Sequence, residues 1–101
     1  MKKIINNRMY NTDTANQLGY TGYGSPRDFG HYVTTLYQKK NGEFFLHGIG
    51  GPASQYRKAV GMNEWSGDEV IKPLSRDEAR EWAEKHLSIE EYISIFGEPE
   101  E

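Results

Sequence analysis

The sequence predicts an α+β fold, a small antiparallel sheet built on hairpins with helices packed on one side and two helices at the C-terminus. Three observations carry that expectation. Asn41-Gly42, a favoured hairpin dipeptide, lies between the β-prone runs Tyr32 to Lys39 and Glu43 to Gly48. Two capping boxes, Ser75-Arg76-Asp77-Glu78 and Ser88-Ile89-Glu90-Glu91, each place a Ser before a helix and a Glu three residues on. The elements follow as β, β, short α, β, β, α, β, α, α, an order whose hairpin connections suit antiparallel pairing.

The first element is a hairpin, Lys3-Ile4-Ile5 and Arg8-Met9-Tyr10 around Asn6-Asn7, because Asn tolerates the positive φ of a tight turn. Asp13 to Leu18 is expected to be a brief helix capped by Thr12 and stopped by Gly19, followed by an aromatic loop from Tyr20 to Gly30 that includes Pro26. In the central hairpin a two-residue turn at Asn41-Gly42 sets Lys40 opposite Glu43, Lys39 opposite Phe44, Tyr37 opposite Leu46 and Leu36 opposite His47. Val33, Tyr37, Phe44 and Leu46 then form the expected core face, and Leu36, Gln38, Phe45 and His47 a mixed one. The glycine run Gly48 to Gly51 reads as a strand-to-helix turn, and Ala53 to Val60 as a helix entered through Pro52 and ended by Gly61. After a polar stretch from Met62 to Gly67, Glu69 to Lys72 is a short strand closed by Pro73. The first C-terminal helix aligns Ala79, Trp82, Ala83, His86 and Leu87 on one face, the second Ile89, Tyr92, Ile93 and Phe96, with Gly97 and Pro99 beyond. Trp82, Ala83 and Leu87 are expected to pack on the hairpin face of Tyr37, Phe44 and Leu46.

A chain of 101 residues fits one domain, residues 1–101, with the acidic tail 98–101 expected to be disordered. Thirteen aromatic residues supply a modest core, and the absence of cysteine excludes disulfides, thiolate metal sites and a cysteine nucleophile. No apolar run approaches the roughly 20 residues that span a bilayer, and Ile4-Ile5 after Lys2-Lys3 is too short for a signal sequence, so a cytoplasmic protein without membrane contact is expected. His31, His47 and His86 lack metal-site spacing, and His86 falls on an apolar helix face, where a hydrogen-bonded core histidine is the expectation. Near His47 the local sequence offers only Ser54 for hydrolytic chemistry, and the glycine run lacks the Walker lysine and the dinucleotide fingerprint. No enzyme activity and no cofactor are expected.

Charge is divided along the chain. Residues 1–60 carry eight Lys and Arg against three acids, and residues 61–101 carry four against twelve, within a net charge of -3. On the first C-terminal helix Asp77, Glu81 and Glu84 share one sector opposite Trp82, with Glu78 at its margin. Glu81 and Lys85 have the spacing of a stabilising pair, yet acids outnumber bases on this helix. These four carboxylates are the candidate partner-binding residues, a phosphate-like row suited to an arginine-rich groove. The alternative is a nucleic-acid-binding accessory protein using Lys39, Lys40, Arg57 and Lys58, basic residues interleaved with Tyr37, Phe44 and Tyr56. As a plain structural matter, acidic helices are often solvated faces and tip lysines often guard strand edges.

Leu36 to Gly48, Gly50-Gly51, Trp65-Ser66-Gly67, Pro73-Leu74-Ser75, Glu78 to Glu84, and the ending from Glu91-Tyr92 to Phe96-Gly97-Glu98 together resemble a family of small proteins carried on mobile elements of Gram-positive bacteria. The resemblance runs from Ile4 to Glu98. Some mobile-element proteins of this size are type II-A anti-CRISPR proteins, and the chain is similar to one of those in length and general character. The resemblance implies a stoichiometric inhibitor that binds Cas9, or its complex with guide RNA, and disturbs guide loading or DNA binding. It transfers no site residues, because the family has no shared catalytic motif.

Overall fold

The computed structural model describes residues 1–25, 27–62 and 64–101, and for Glu64 and Trp65 the backbone alone. Its elements are β1 (Lys2–Ile5), β2 (Arg8–Asn11), β3 (Asn16–Tyr23), β4 (Tyr32–Gln38), β5 (Phe44–Gly50), β6 (Lys58–Gly61), β7 (Glu64–Ser66), β8 (Asp68–Leu74), α1 (Arg76–His86) and α2 (Ile89–Phe96). Strands β3-β4-β5-β8 form one antiparallel sheet in that order, and β1-β2 and β6-β7 are two-stranded ribbons. The fold is α+β, as the element order predicts.

The first turn forms as its asparagines dictate, with φ of 50° at Asn6 and 63° at Asn7. The helix expected over 13–18 does not form. Asn11 diverts the chain first: its side-chain oxygen accepts from the Asp13 N–H at 2.9 Å and its carbonyl from Ala15 at 3.1 Å, giving a turn in place of a helix start. The next eight residues pair with β4 as strand β3, so the expected loop shrinks to the residues after Tyr23, of which Pro26 lies outside the described residues. Ladder pairing with β4 outweighs a weak local helix signal.

The central hairpin exists, but its register is one residue away from expectation. Leu36 faces Leu46 and Tyr37 faces Phe45, because the loop has three residues, Lys40-Asn41-Gly42. The Gly42 N–H donates to Lys39 O at 2.9 Å and the Lys39 N–H to Glu43 O at 2.8 Å, with Gly42 at φ 95°. This is a type I turn closed by a left-handed glycine, and the extra residue exchanges the faces of the β4 side chains relative to those of β5. Leu36, Phe44 and Leu46 therefore lie together, while Tyr37 joins Phe45 on the opposite face.

Each face has its own core. Under the helices, Leu36, Phe44 and Ala79 are buried with Leu18, Leu46, Leu74, Trp82, Leu87, Ile95 and Phe96 around them. Trp82 and Leu87 thus share a core with Phe44 and Leu46, as expected, whereas Tyr37 belongs to the other one. On the far face the β1-β2 hairpin covers Phe45 and Ile71 with Tyr10, and the Phe45 ring stacks on Tyr37 at 5.2 Å and meets Tyr10 edge-on at 5.5 Å. Val33, expected in the core, is 40% exposed.

The helix expected over Ala53 to Val60 is absent. The Ser54 hydroxyl donates to Gly51 O at 2.7 Å and accepts from the Tyr56 N–H at 3.2 Å, holding two tight turns that lead into β6. Gly48 and Gly50 belong to β5, and Gly48 is needed because the Tyr56 ring occupies the space its Cβ would take. The Tyr56 hydroxyl also hydrogen-bonds the Thr34 hydroxyl, which fastens this loop across the sheet. Part of the expected polar stretch 62–67 is strand β7; Asn63 lies outside the described residues. Strand β8 runs from Asp68 through Pro73 to Leu74, and it tolerates the proline because it is an edge strand.

Both helices start at their capping boxes. The Ser75 N–H donates to Glu78 Oε1 at 2.9 Å and the Glu78 N–H to Ser75 Oγ at 3.1 Å; Ser88 and Glu91 repeat the arrangement at 3.1 Å in both directions. Ala79 and Ala83 are fully buried along α1, and His86, expected as a core histidine, is exposed with its ring 5.0 Å from that of Trp82. The small alanines carry the contact with the sheet, which leaves the larger Trp82 and His86 on the flank. On α2 the buried side is made by Ile95 and Phe96, while Ile89 and Ile93 are 74% and 37% exposed. Among the described residues no helix is long and apolar enough to cross a membrane.

Candidate functional site

Helix α1 presents its carboxylates to solvent because Ala79 and Ala83 fix which side faces the sheet. Asp77, Glu78, Glu81 and Glu84 are all exposed. Their environments differ. Asp77 lies 3.7 Å from Arg80. Glu78 is committed to its cap: hydrogen bonds from the Ser75 backbone N–H and side chain hold its carboxyl below the usual carboxylate range, with Lys72 adding a smaller attraction. Among the described residues Glu81 and Glu84 have neither a hydrogen bond nor an ion pair, and the Glu81–Lys85 pair suggested by spacing does not form. Three of the four are therefore free or weakly paired, and Glu78 is a structural residue at the edge of the row.

The basic candidates are not brought together. Lys39 and Lys40 lie at the turn end of β4-β5, whereas Lys58 is 3.9 Å from Asp68, whose strand pairs it with Gly50 at the other end of β5. Seven strand residues separate the two ends, about 20 Å. Lys39 is also engaged inside the fold: its ammonium is 3.1 Å from Glu43 and sits 3.7 Å above the Tyr10 ring. Arg8 reaches the same Glu43 carboxylate from β2. Hydrogen bonds from Asn41 and Lys39 hold the Glu43 carboxyl below the usual range. Lys40 and Arg57 are exposed, on separate parts of the surface.

A carboxylate invisible to local inspection meets His47. Glu69 of β8 places Oε1 2.7 Å from His47 Nε2. Only sheet pairing could reveal it, since the two residues are 22 positions apart in sequence. Ser54 is seated on Gly50, which points to the face opposite His47, so no serine completes a nucleophilic arrangement there. Among the described residues no group of three or more His, Asp or Glu is placed to hold a metal ion.

A groove of about 410 Å³, not apparent from the sequence, lies between α2 and the start of β3, lined by Gln17, Leu18, Gln38, Glu90, Glu91 and Ile95 among others. Its one sequence signal is the β-prone Tyr20-Thr21-Gly22-Tyr23, which marks a strand where a loop was expected.

The fold and this surface define a small α+β protein whose helical layer is acidic. No family model matches the chain, and no curated protein and no solved structure matches it either.

Proposed function

We propose that the protein is a non-catalytic, stoichiometric inhibitor that binds a basic nucleic-acid channel of a partner protein, and that Cas9, free or loaded with guide RNA, is that partner. The observation that carries the binding mode is the row of Asp77, Glu81 and Glu84, solvent-facing on a helix whose opposite side is fixed by buried alanines, with no cation paired to Glu81 or Glu84 among the described residues. Such carboxylates are available to replace phosphates opposite Arg and Lys, and Cas9 keeps positively charged channels for guide and target. The choice of Cas9 rests on the resemblance of the sequence to mobile-element proteins. The nucleic-acid alternative has less support, because Lys39 is held by Glu43 and Tyr10 and the remaining basic candidates are dispersed.

The test is a pulldown with apo and guide-loaded Cas9, run beside retention on immobilised RNA and DNA. Binding to Cas9 that weakens with salt and is competed by guide RNA is the expected result. Reversing Asp77, Glu81 and Glu84 to Lys together should reduce complex formation by about 100-fold or more while the fold persists, since each cation then meets like charge. Normal inhibition by that variant, with activity lost on reversing Lys40, would move the function to the hairpin tip.

A further inference from the structure

We infer that the free edge of β3, together with Glu90 and Glu91 of α2, is a docking site for an extended basic segment of a partner protein, taken up as a fifth strand of the sheet. This goes beyond the reading of α1 and uses a different element.

Two observations meet at this edge. Strand β3 is terminal in the sheet order, and among the described residues no hydrogen bond outside the β4 ladder reaches the backbone of residues 16–23. Its outward N–H and C=O groups form an open template. The other terminal strand, β8, carries the usual guards against such pairing, with Asp68, Glu69, Lys72 and Pro73 in seven residues. Strand β3 has neither charge nor proline over its eight residues, Asn16 to Tyr23; its one irregularity is a register shift between Gln17 and Gly19, which leaves Gly19 to Tyr23 in unbroken register with β4. An added strand there would also rest beside Tyr20, which is 65% exposed.

Charge selects the occupant. The groove beside β3 brings Glu90 and Glu91 from the first turn of α2 against Gln17 and Leu18. The second carboxylate oxygen of Glu91 lies 3.0 Å from where a Cβ on Gly19 would stand, so it reaches the strand itself. Its first oxygen is held by the Ser88 N–H, which fixes the direction of the side chain. Among the described residues Glu90 has no partner. A segment pairing with β3 projects alternate side chains toward this groove, where Lys or Arg are attracted and Asp or Glu repelled. A second copy paired through β3 would offer an uncharged strand, Asn16 to Tyr23, and so no cation for Glu90 and Glu91 from the paired segment.

The probes are acetyl-(Lys-Val)4-amide and its acidic counterpart acetyl-(Glu-Val)4-amide, titrated into the full chain and followed by NMR and amide hydrogen exchange. The lysine peptide should slow exchange at alternate amides of residues 16–23 and give cross-strand contacts to them, with affinity falling as salt rises. Glu90→Gln with Glu91→Gln keeps the cap, because Gln also serves at that position, and should weaken binding about tenfold at low ionic strength. Equal binding of the glutamate peptide, protection confined to β8 or α1, or no protection at β3 overturns the proposal. So does concentration-dependent protection of β3 without peptide, which would assign the edge to a second copy. The variant Asp77→Lys/Glu81→Lys/Glu84→Lys should bind the lysine peptide as the parent does, whatever it does with Cas9, so the two proposals fail separately. Loss of peptide binding in that variant with its fold intact would place the peptide on α1 and also overturns this one.

Discussion

The hairpin tip at residues 39–43 and the solvent side of α1 are both charged in sequence, yet the fold treats them in opposite ways. At the tip, Glu43 collects Arg8 from β2 and Lys39 from its own hairpin, and Lys39 also covers the ring of Tyr10. On α1 the acids at 81 and 84 find no partner among the described residues, because the helix leans on the sheet through Ala79 and Ala83 and turns these carboxylates to the opposite, exposed side. Charge used internally stabilises, and charge left outside is available for recognition. The basic tip is therefore part of the scaffold, and the acidic helix is the part of the surface that can be changed without disturbing it.

The sharpest break of that contrast lies beneath the tip. Phe45 is fully buried between Tyr10 and Tyr37, so Phe45→Ala should cost about 3–5 kcal/mol and release the N-terminal hairpin, read as a large drop in the thermal midpoint. A smaller effect is expected at Lys39, where Lys39→Met keeps the aliphatic stem but removes the cation above Tyr10. Chemical denaturation should show a loss of about 1 kcal/mol.

Acid should discriminate the two regions next. Glu43 at the tip and Glu78 at the helix cap both have folded pKa values lowered by hydrogen bonds, so each contributes stability that is present above its unfolded value and is lost as pH falls through the folded one. Thermal midpoints should accordingly decline below about pH 4.3, the ordinary range for Glu. Glu78→Gln should flatten the α1 share of that decline while keeping the cap, since Gln accepts the same bond. Smallest of all, Glu81→Lys with Glu84→Lys should alter unfolding free energy by no more than about 0.5 kcal/mol, as expected for exposed positions away from caps and core. A larger loss in equilibrium denaturation would mean that these carboxylates support the fold, and the contrast with the tip would collapse.

What was legible in the sequence was whatever is written within a few residues. The Asn6-Asn7 turn, the capping boxes at Ser75 and Ser88, the existence of the central hairpin and the exposure of Asp77, Glu81 and Glu84 all follow from local conformational preference or from helical periodicity. The expected helices at 13–18 and 53–60 failed where one polar side chain, Asn11 or Ser54, captured nearby backbone groups before a helical turn could close. The expected α2 face departs from the structure at Ile89 and Ile93, which are exposed, since periodicity gives an apolar stripe but not how much of it the sheet is wide enough to cover.

By itself the sequence determined a cysteine-free α+β chain with a basic first part, an acidic helical end and fixed helix starts, because those properties reside in composition and in contacts a few residues long. The tertiary structure alone decided that Leu36 and Tyr37 serve different cores, that Lys39 sits between Glu43 and the Tyr10 ring, that Glu69 meets His47, and that β3 is left as an open edge beside Glu90 and Glu91. Each of those depends on strand pairing between distant segments. A slip of one residue in the ladder exchanges the faces, and only the sum of cross-strand contacts and turn geometry sets the register.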